Sequence, residues 1–355
     1  MHRNHFIIKA LLILHQLLLV HSSSADHENN VPVIGVFTRK IGRTATHWVP
    51  PDWYHMQVIP ASYIKWLESA GARSIAIDSD ATEEQIKEIF KQVNGVLFPG
   101  AIGARSDTKK LHNGYSGTNK KAEQLIWELA KQANDEGEVF PIWGTCLGFE
   151  WMLEFEADQS NKVVQAAFDS HDVSLPLEFT DYGLQRSRMF QNERHYSDIA
   201  QRYNVTYNSH TKGATPDALR ADEGVDSMFE IISTNVDANG KEFVSTIEAR
   251  DYPFYGTQWH PEKIFEYGTH NGTDIPAHPG INHSSEAANL VYKMASIFVE
   301  EARKSTHVHT EFERFPIVWS YEILRCGAME QFFVVRRENE TPGDLKSGIR
   351  GISME

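Results

Sequence analysis

The stretch Val139–Leu153, VFPIWGTCLGFEWML, decides how the chain folds. It reads as an apolar strand, a tight Gly144-Thr145 turn, then Cys146 and a helix opening at Leu147-Gly148. A cysteine on such a strand-to-helix turn is held out of the sheet, with its sulfur at the positive end of the following helix. The first-turn N–H groups there favour a thiolate over a thiol. Gly144-x-Cys146-x-Gly148 is the cysteine form of the G-x-S-x-G nucleophile elbow. The same residues also suit a buried cysteine acting as a small hydrophobe, and five residues alone leave both readings open.

Upstream, the pattern predicts a buried strand over 31–38 and a helix over 61–70 stopped by Gly71. A strand over 73–77, a helix over 82–93 and a strand over 95–98 running into Pro99-Gly100-Ala101 come next. A long helix over 118–136 and a strand over 139–143 lead into Cys146. This strand–helix alternation predicts an α/β fold with a doubly wound, mostly parallel sheet flanked by helices. Ligands of such sheets bind beyond the carboxyl ends of the strands, where Gly100 and Cys146 both fall.

Downstream, two short strands are expected within 163–180 and a helix over 187–203. An antiparallel hairpin over 228–236 and 242–250 is expected around Asn239-Gly240. A strand over 254–259 ends at His260-Pro261-Glu262, and an amphipathic helix covers 285–305. From Thr306 the chain turns His- and charge-rich and reads as a loosely packed extension, with 342–355 disordered. The resulting domain plan is residues 1–25 as a leader, 26–305 as one α/β domain and 306–355 as the extension.

The 355 residues carry 41% hydrophobic content, enough for one large domain or two small ones. Phe6–Val20 is an apolar run between a weakly basic start and Ser22-Ser23-Ser24-Ala25, the layout of a secretory signal peptide cleaved after Ala25. No later stretch is apolar enough to span a membrane, so none is expected after cleavage. Asn204, Asn271, Asn282 and Asn339 each open an N-x-S/T sequon, and in a secreted chain these are expected glycosylation sites. The expected localisation is the secretory pathway, ending in a lysosome, a vacuole or the extracellular space. A net charge of −14 with no basic stripe excludes nucleic acid as a partner. No metal-ligand spacing occurs, so neither a metal nor another cofactor is expected. The two cysteines, Cys146 and Cys326, either pair as a disulfide or leave a reactive thiol.

Cys146, His260 and Glu262 supply a nucleophile, an acid–base group and a carboxylate to orient it, the set needed to cleave an amide. Alone, His260 and Glu262 also read as a core histidine and a surface acid. Together, the FPG of 98–100, GTCLGFE of 144–150, YNSH of 207–210 and YGTQWHPEK of 255–263 resemble the gamma-glutamyl hydrolase family. Those enzymes belong to the class I glutamine amidotransferase-like hydrolases. The resemblance runs over about residues 31–303, judged by motif order.

The resemblance implies Cys146 as nucleophile, His260 as its acid–base partner and Glu262 as the orienter. It implies an oxyanion site from the Leu147 N–H and an N–H of the Gly100-Ala101 turn, and a substrate site including Glu150 and His210. Ala101 replaces a glycine frequent in the family, and a positive φ there would be strained. The implied substrate is a small molecule, the γ-linked glutamate tail of a folate. Arg105, Lys109 and Lys110 are the candidate cations for that polyanion. A glutaminase-like hydrolase of another γ-glutamyl substrate and a catalytically silent secreted glycoprotein are the competing readings. Pairing as a homodimer is left open.

Overall fold

A computed structural model describes residues 29–41, 53–102, 120–270, 273–327 and 330–337. The strands in chain order are β1 (Val33–Phe37), β2 (Arg39–Lys40), β3 (Gln57–Pro60), β4 (Arg73–Ile77), β5 (Gly95–Phe98), β6 (Ile142–Thr145) and β7 (Gln165–Leu175). There follow β8 (Glu178–Phe179), β9 (Thr206–Gly213), β10 (Phe229–Val236), β11 (Glu242–Ala249), β12 (Phe254–Thr257), β13 (Glu322–Cys326) and β14 (Glu330–Arg336). The main sheet has the order β4-β1-β5-β6-β12-β11-β10-β8. Its first five strands are parallel neighbours and the last three join antiparallel, as the expected α/β class with added hairpin strands requires.

Both faces of the parallel block are covered, which is why its strands are apolar throughout rather than alternating. Ile34, Leu97, Trp143 and Tyr255 point to one face, against Trp66 of the helix Ala61–Ser69 and Phe298 of the helix Ser285–Arg303. Val33, Val96, Ile142 and Phe254 point to the other. There they meet Ile86 of Glu83–Phe90, Trp127 of Lys121–Asp135 and Met152 of Leu147–Glu156. The ends of these helices follow local chemistry. Thr82 closes a reciprocal capping box with Gln85, and Gly71 and Gly137 adopt positive φ just past their helices.

Three sequence expectations are corrected. The two short strands expected in 163–180 are one long β7 plus the two-residue β8; Ala167 and Asp172 at positive φ bulge β7 and shift its register against β9. The helix expected over 187–203 is confined to Arg194–Arg202, because the Ser187 hydroxyl bonds Gly183 O and Phe190 N and holds the chain in turns. The segment expected to be a loose extension is integral as far as it is described. Residues 306–337 include β13 and β14, and β14 pairs antiparallel with β3 in a second sheet ordered β13-β14-β3-β2. Phe332, Phe333, Val334 and Val335 are buried there.

Asn204 is exposed. Asn282 is half-buried, and its side-chain amide donates to the Asn204 carbonyl at 2.7 Å. Asn271 and Asn339 lie outside the described residues, as do the leader and positions 342–355. Among the described residues no helix is long and apolar enough to cross a membrane.

Candidate active site

Strands β5, β6 and β12 are adjacent and parallel, so their carboxyl ends open on one edge. Pro99-Gly100-Ala101 leaves β5, Cys146 leaves β6, and β12 continues to His260. The Cys146 N–H donates to Thr257 O at 2.8 Å, so the cysteine is tied to β12 three residues before the histidine. A shared neighbour shows how near the two side chains lie. A Cβ placed on Gly100 would sit 2.9 Å from His260 Cε1 and 3.3 Å from Cys146 Cβ.

Cys146 has φ 52° and ψ −106°, a left-handed backbone that side chains rarely adopt. Its flanking glycines make the elbow possible. A Cβ on Gly148 would lie 2.0 Å from Phe98 O, and one on Gly144 would lie 2.3 Å from Met152 Sδ. Cys146 is a free thiol in the structure, so no disulfide disables it. As the first helical residue, Leu147 carries an N–H with no intrahelical acceptor.

His260 Nδ1 meets Glu262 Oε1 at 2.8 Å, and both side chains are buried. Burial alone would pull the imidazole down. The Glu262 charge, then Cys146, outweigh it and raise His260 to about 10. With Nδ1 engaged by Glu262, Nε2 is the nitrogen left for Cys146 and the substrate.

Tyr63, which the sequence did not single out, completes this edge. Its hydroxyl accepts the Gly100 N–H at 2.7 Å. Burial, then the charge of Glu262, hold its proton on far above the usual phenol range. Ala101 is not at positive φ, so the strain expected from its replacing a glycine is absent.

Glu150 lies one turn into the elbow helix. Burial lifts its carboxyl to about 7, against the pull of Lys212, Gln258, Lys120 and His260. Gln258 Nε2 donates to Glu150 Oε1 at 3.3 Å. His210 is brought in by β9, whose Tyr207 carbonyl accepts the His260 N–H at 2.8 Å. His210 Nδ1 donates to Lys212 O at 2.7 Å, and burial lowers the ring to about 4. Its Nε2 is thus a buried acceptor with no protein partner among the described residues. Arg105, Lys109 and Lys110 lie outside the described residues. Lys120 and Lys212, whose charges act on Glu150, are cations that the sequence reading missed; no local motif marks them. Gln258 was visible only as part of the YGTQWHPEK run. Among the described residues no group of His, Cys, Asp and Glu is arranged to hold a metal ion.

A cysteine at a strained elbow with a carboxylate-oriented imidazole at the next strand end defines a cysteine hydrolase of the α/β class. Residues 32–262 match the Peptidase C26 family, and the chain belongs to it. Its relatives include the gamma-glutamyl hydrolase of Homo sapiens, 36% identical over 85% of this chain and 87% of that protein. The gamma-glutamyl hydrolase of Mus musculus is 34% identical over 91% and 96%, and gamma-glutamyl hydrolase 1 of Arabidopsis thaliana is 33% identical over 87% and 82%. A likeness to a solved putative GMP synthase component from Thermoplasma acidophilum is weaker, with 14% identity and a TM-score of 0.40 over 76% of this chain and 94% of that one.

Proposed function

We infer that this chain hydrolyses γ-glutamyl amide bonds through a Cys146 thioester, and we propose the γ-linked glutamate tail of a folate as its substrate. The observation that carries the reaction is the 2.8 Å His260–Glu262 contact beside Cys146 at its left-handed elbow. Cys146 Sγ attacks the γ-carbonyl carbon. The Leu147 N–H and an N–H of the Gly100-Ala101 turn receive the developing oxyanion. His260 Nε2–H passes its proton to the departing amine as the C–N bond breaks. Water then attacks the thioester, giving its proton to His260, and the γ-carboxylate leaves with Cys146 restored.

A folate tail offers two features that suit this site. Its carboxylates suit the positive charge that Lys212 and Lys120, the latter paired with Glu154, bring to the surroundings of Glu150. Its internal glutamates carry an acylated, uncharged α-nitrogen rather than an ammonium. A carboxyl lifted to about 7 by burial tolerates such a neutral N–H without demanding a counter-charge.

Mass spectrometry of products from a folate pentaglutamate tests the reading. Wild type should shorten the tail and Cys146→Ala should not, and product lengths report endo or exo cleavage. Ammonia release from glutamine that outpaces tail cleavage would favour the glutaminase alternative. For the compartment, we propose entry into the secretory pathway, supported by the 6–20 apolar run and the exposed Asn204 sequon. Secreted material beginning at Asp26 and shrinking on glycosidase treatment is the expected result; material retaining Met1 would refute it.

A further inference from the structure

We propose that Arg39 is a positioning residue for oxyanion stabilisation, fixing the Pro99–Gly100 peptide plane so that the next amide, that of Ala101, is the donor this turn presents. The proposal rests on the cysteine-hydrolase reading above.

Arg39 is almost wholly buried, at 3% exposure. Two prongs of its guanidinium converge on one acceptor, Nε at 3.1 Å and Nη2 at 2.7 Å from Pro99 O. Nη1 donates to Glu123 Oε1 at 3.0 Å and to Thr38 O at 3.1 Å. The guanidinium also lies 4.4 Å over the Trp151 ring, on the helix that begins at the nucleophile. One side chain thus joins the β5 turn, the elbow helix and the helix Lys121–Asp135.

Pro99 O and the Gly100 N–H belong to the same peptide unit. No peptide bond in the described residues is cis, so the two groups point in opposite directions. Arg39 grips the carbonyl edge, and the Tyr63 hydroxyl takes the amide edge at 2.7 Å. With both edges held, the plane cannot rotate without losing three hydrogen bonds. Gly100 has its amide occupied by Tyr63, which leaves the Ala101 N–H as the turn's donor beside that of Leu147. The turn leans directly on the reacting groups, as the short distances from Gly100 to His260 and Cys146 show. A small rotation here is therefore felt where the oxyanion forms.

A methionine would also cover Trp151, and without the desolvation cost of a buried charge. What the arginine adds is the two-pronged grip on a single carbonyl. Its contribution should therefore appear in the transition state and not in substrate binding.

The test compares full-length wild type with the double variant Arg39→Met/Glu123→Met, which removes both buried charges so that neither is left unpaired. Expected is a kcat about 10- to 100-fold lower, with inhibition by a γ-glutamyl aldehyde weakened by the same factor, since its hemithioacetal oxygen uses the same donors. KM and the rate of Cys146 alkylation by iodoacetamide should stay within about twofold. A folded double variant that keeps wild-type kcat, loses KM instead, or loses alkylation in step with kcat overturns the proposal. If the double variant does not fold, Arg39→Lys decides: one prong in place of two should lower kcat and aldehyde affinity together, and unchanged values overturn it. Wild type that alkylates normally yet cleaves no γ-glutamyl amide would instead defeat the hydrolase reading itself.

Discussion

Replacing Glu262 by Gln keeps shape and volume while removing the charge 2.8 Å from His260 Nδ1. Burial opposes a charged ring, and the Glu262 carboxylate is the foremost influence raising it. A hydrogen bond to a charged group contributes about 1.5–3 kcal/mol. At about 1.4 kcal/mol per unit, its loss lowers the His260 pKa by about 1–2 units. The imidazolium that persists up to about pH 10 in wild type would then discharge near pH 8–9, an order-of-magnitude figure.

The assay is kcat/KM against pH on a γ-glutamyl substrate. The falling alkaline limb should move acidward by that interval, and the plateau should drop by about 10²- to 10⁴-fold because the ring is no longer held in place. Stability carries the same sign. A folded-state pKa raised from 6.5 to about 10 stabilises fully below 6.5 and loses that contribution as pH rises through about 10. Glu262→Gln should narrow that window from its alkaline side. An alkaline limb that coincides with that of wild type would refute the claim that Glu262 sustains the charge on His260.

Glu150→Gln should raise KM by about 10-fold or more with a smaller effect on kcat, and should erase any inflection of KM near pH 7. Because burial raises this carboxyl, its ionised form costs stability as pH rises from 4.5 through about 7, so the Gln variant should gain on wild type in alkaline denaturant titrations. Gly148→Ala drives a methyl into the Phe98 carbonyl; overpacking of this kind destabilises by about 1–3 kcal/mol, and both thermal melting and activity should fall. Phe333→Ala empties a fully buried site in the second sheet and should cost about 3–5 kcal/mol in urea unfolding; a neutral result would mean that the carboxyl-terminal hairpin is not part of the core.

The sequence made the parallel block legible because each of its strands is a short apolar run between turn or capping residues, as with Gly95–Phe98 before Pro99-Gly100. The grouping of Cys146, His260 and Glu262 was legible because each of the three lies in a local motif. What stayed hidden depends on distant partners. β14 is charge-rich at its ends and takes its place by pairing with β3, some 270 residues earlier. Arg39 and Tyr63 carry no motif at all, and their roles appear only when Pro99 and Gly100 arrive between them. The bulges of β7 arise at Ala167 and Asp172, residue types that do not by themselves demand a positive φ.

The left-handed backbone at Cys146 sets catalysis against durability. A non-glycine residue held in such a conformation costs about 1–3 kcal/mol, which glycine would largely recover. Cys146→Gly should accordingly outlast wild type on heating while doing no chemistry. A mutant library screened for heat tolerance alone would be drawn to position 146, where the gain in stability removes the thiol that the proposed reaction needs.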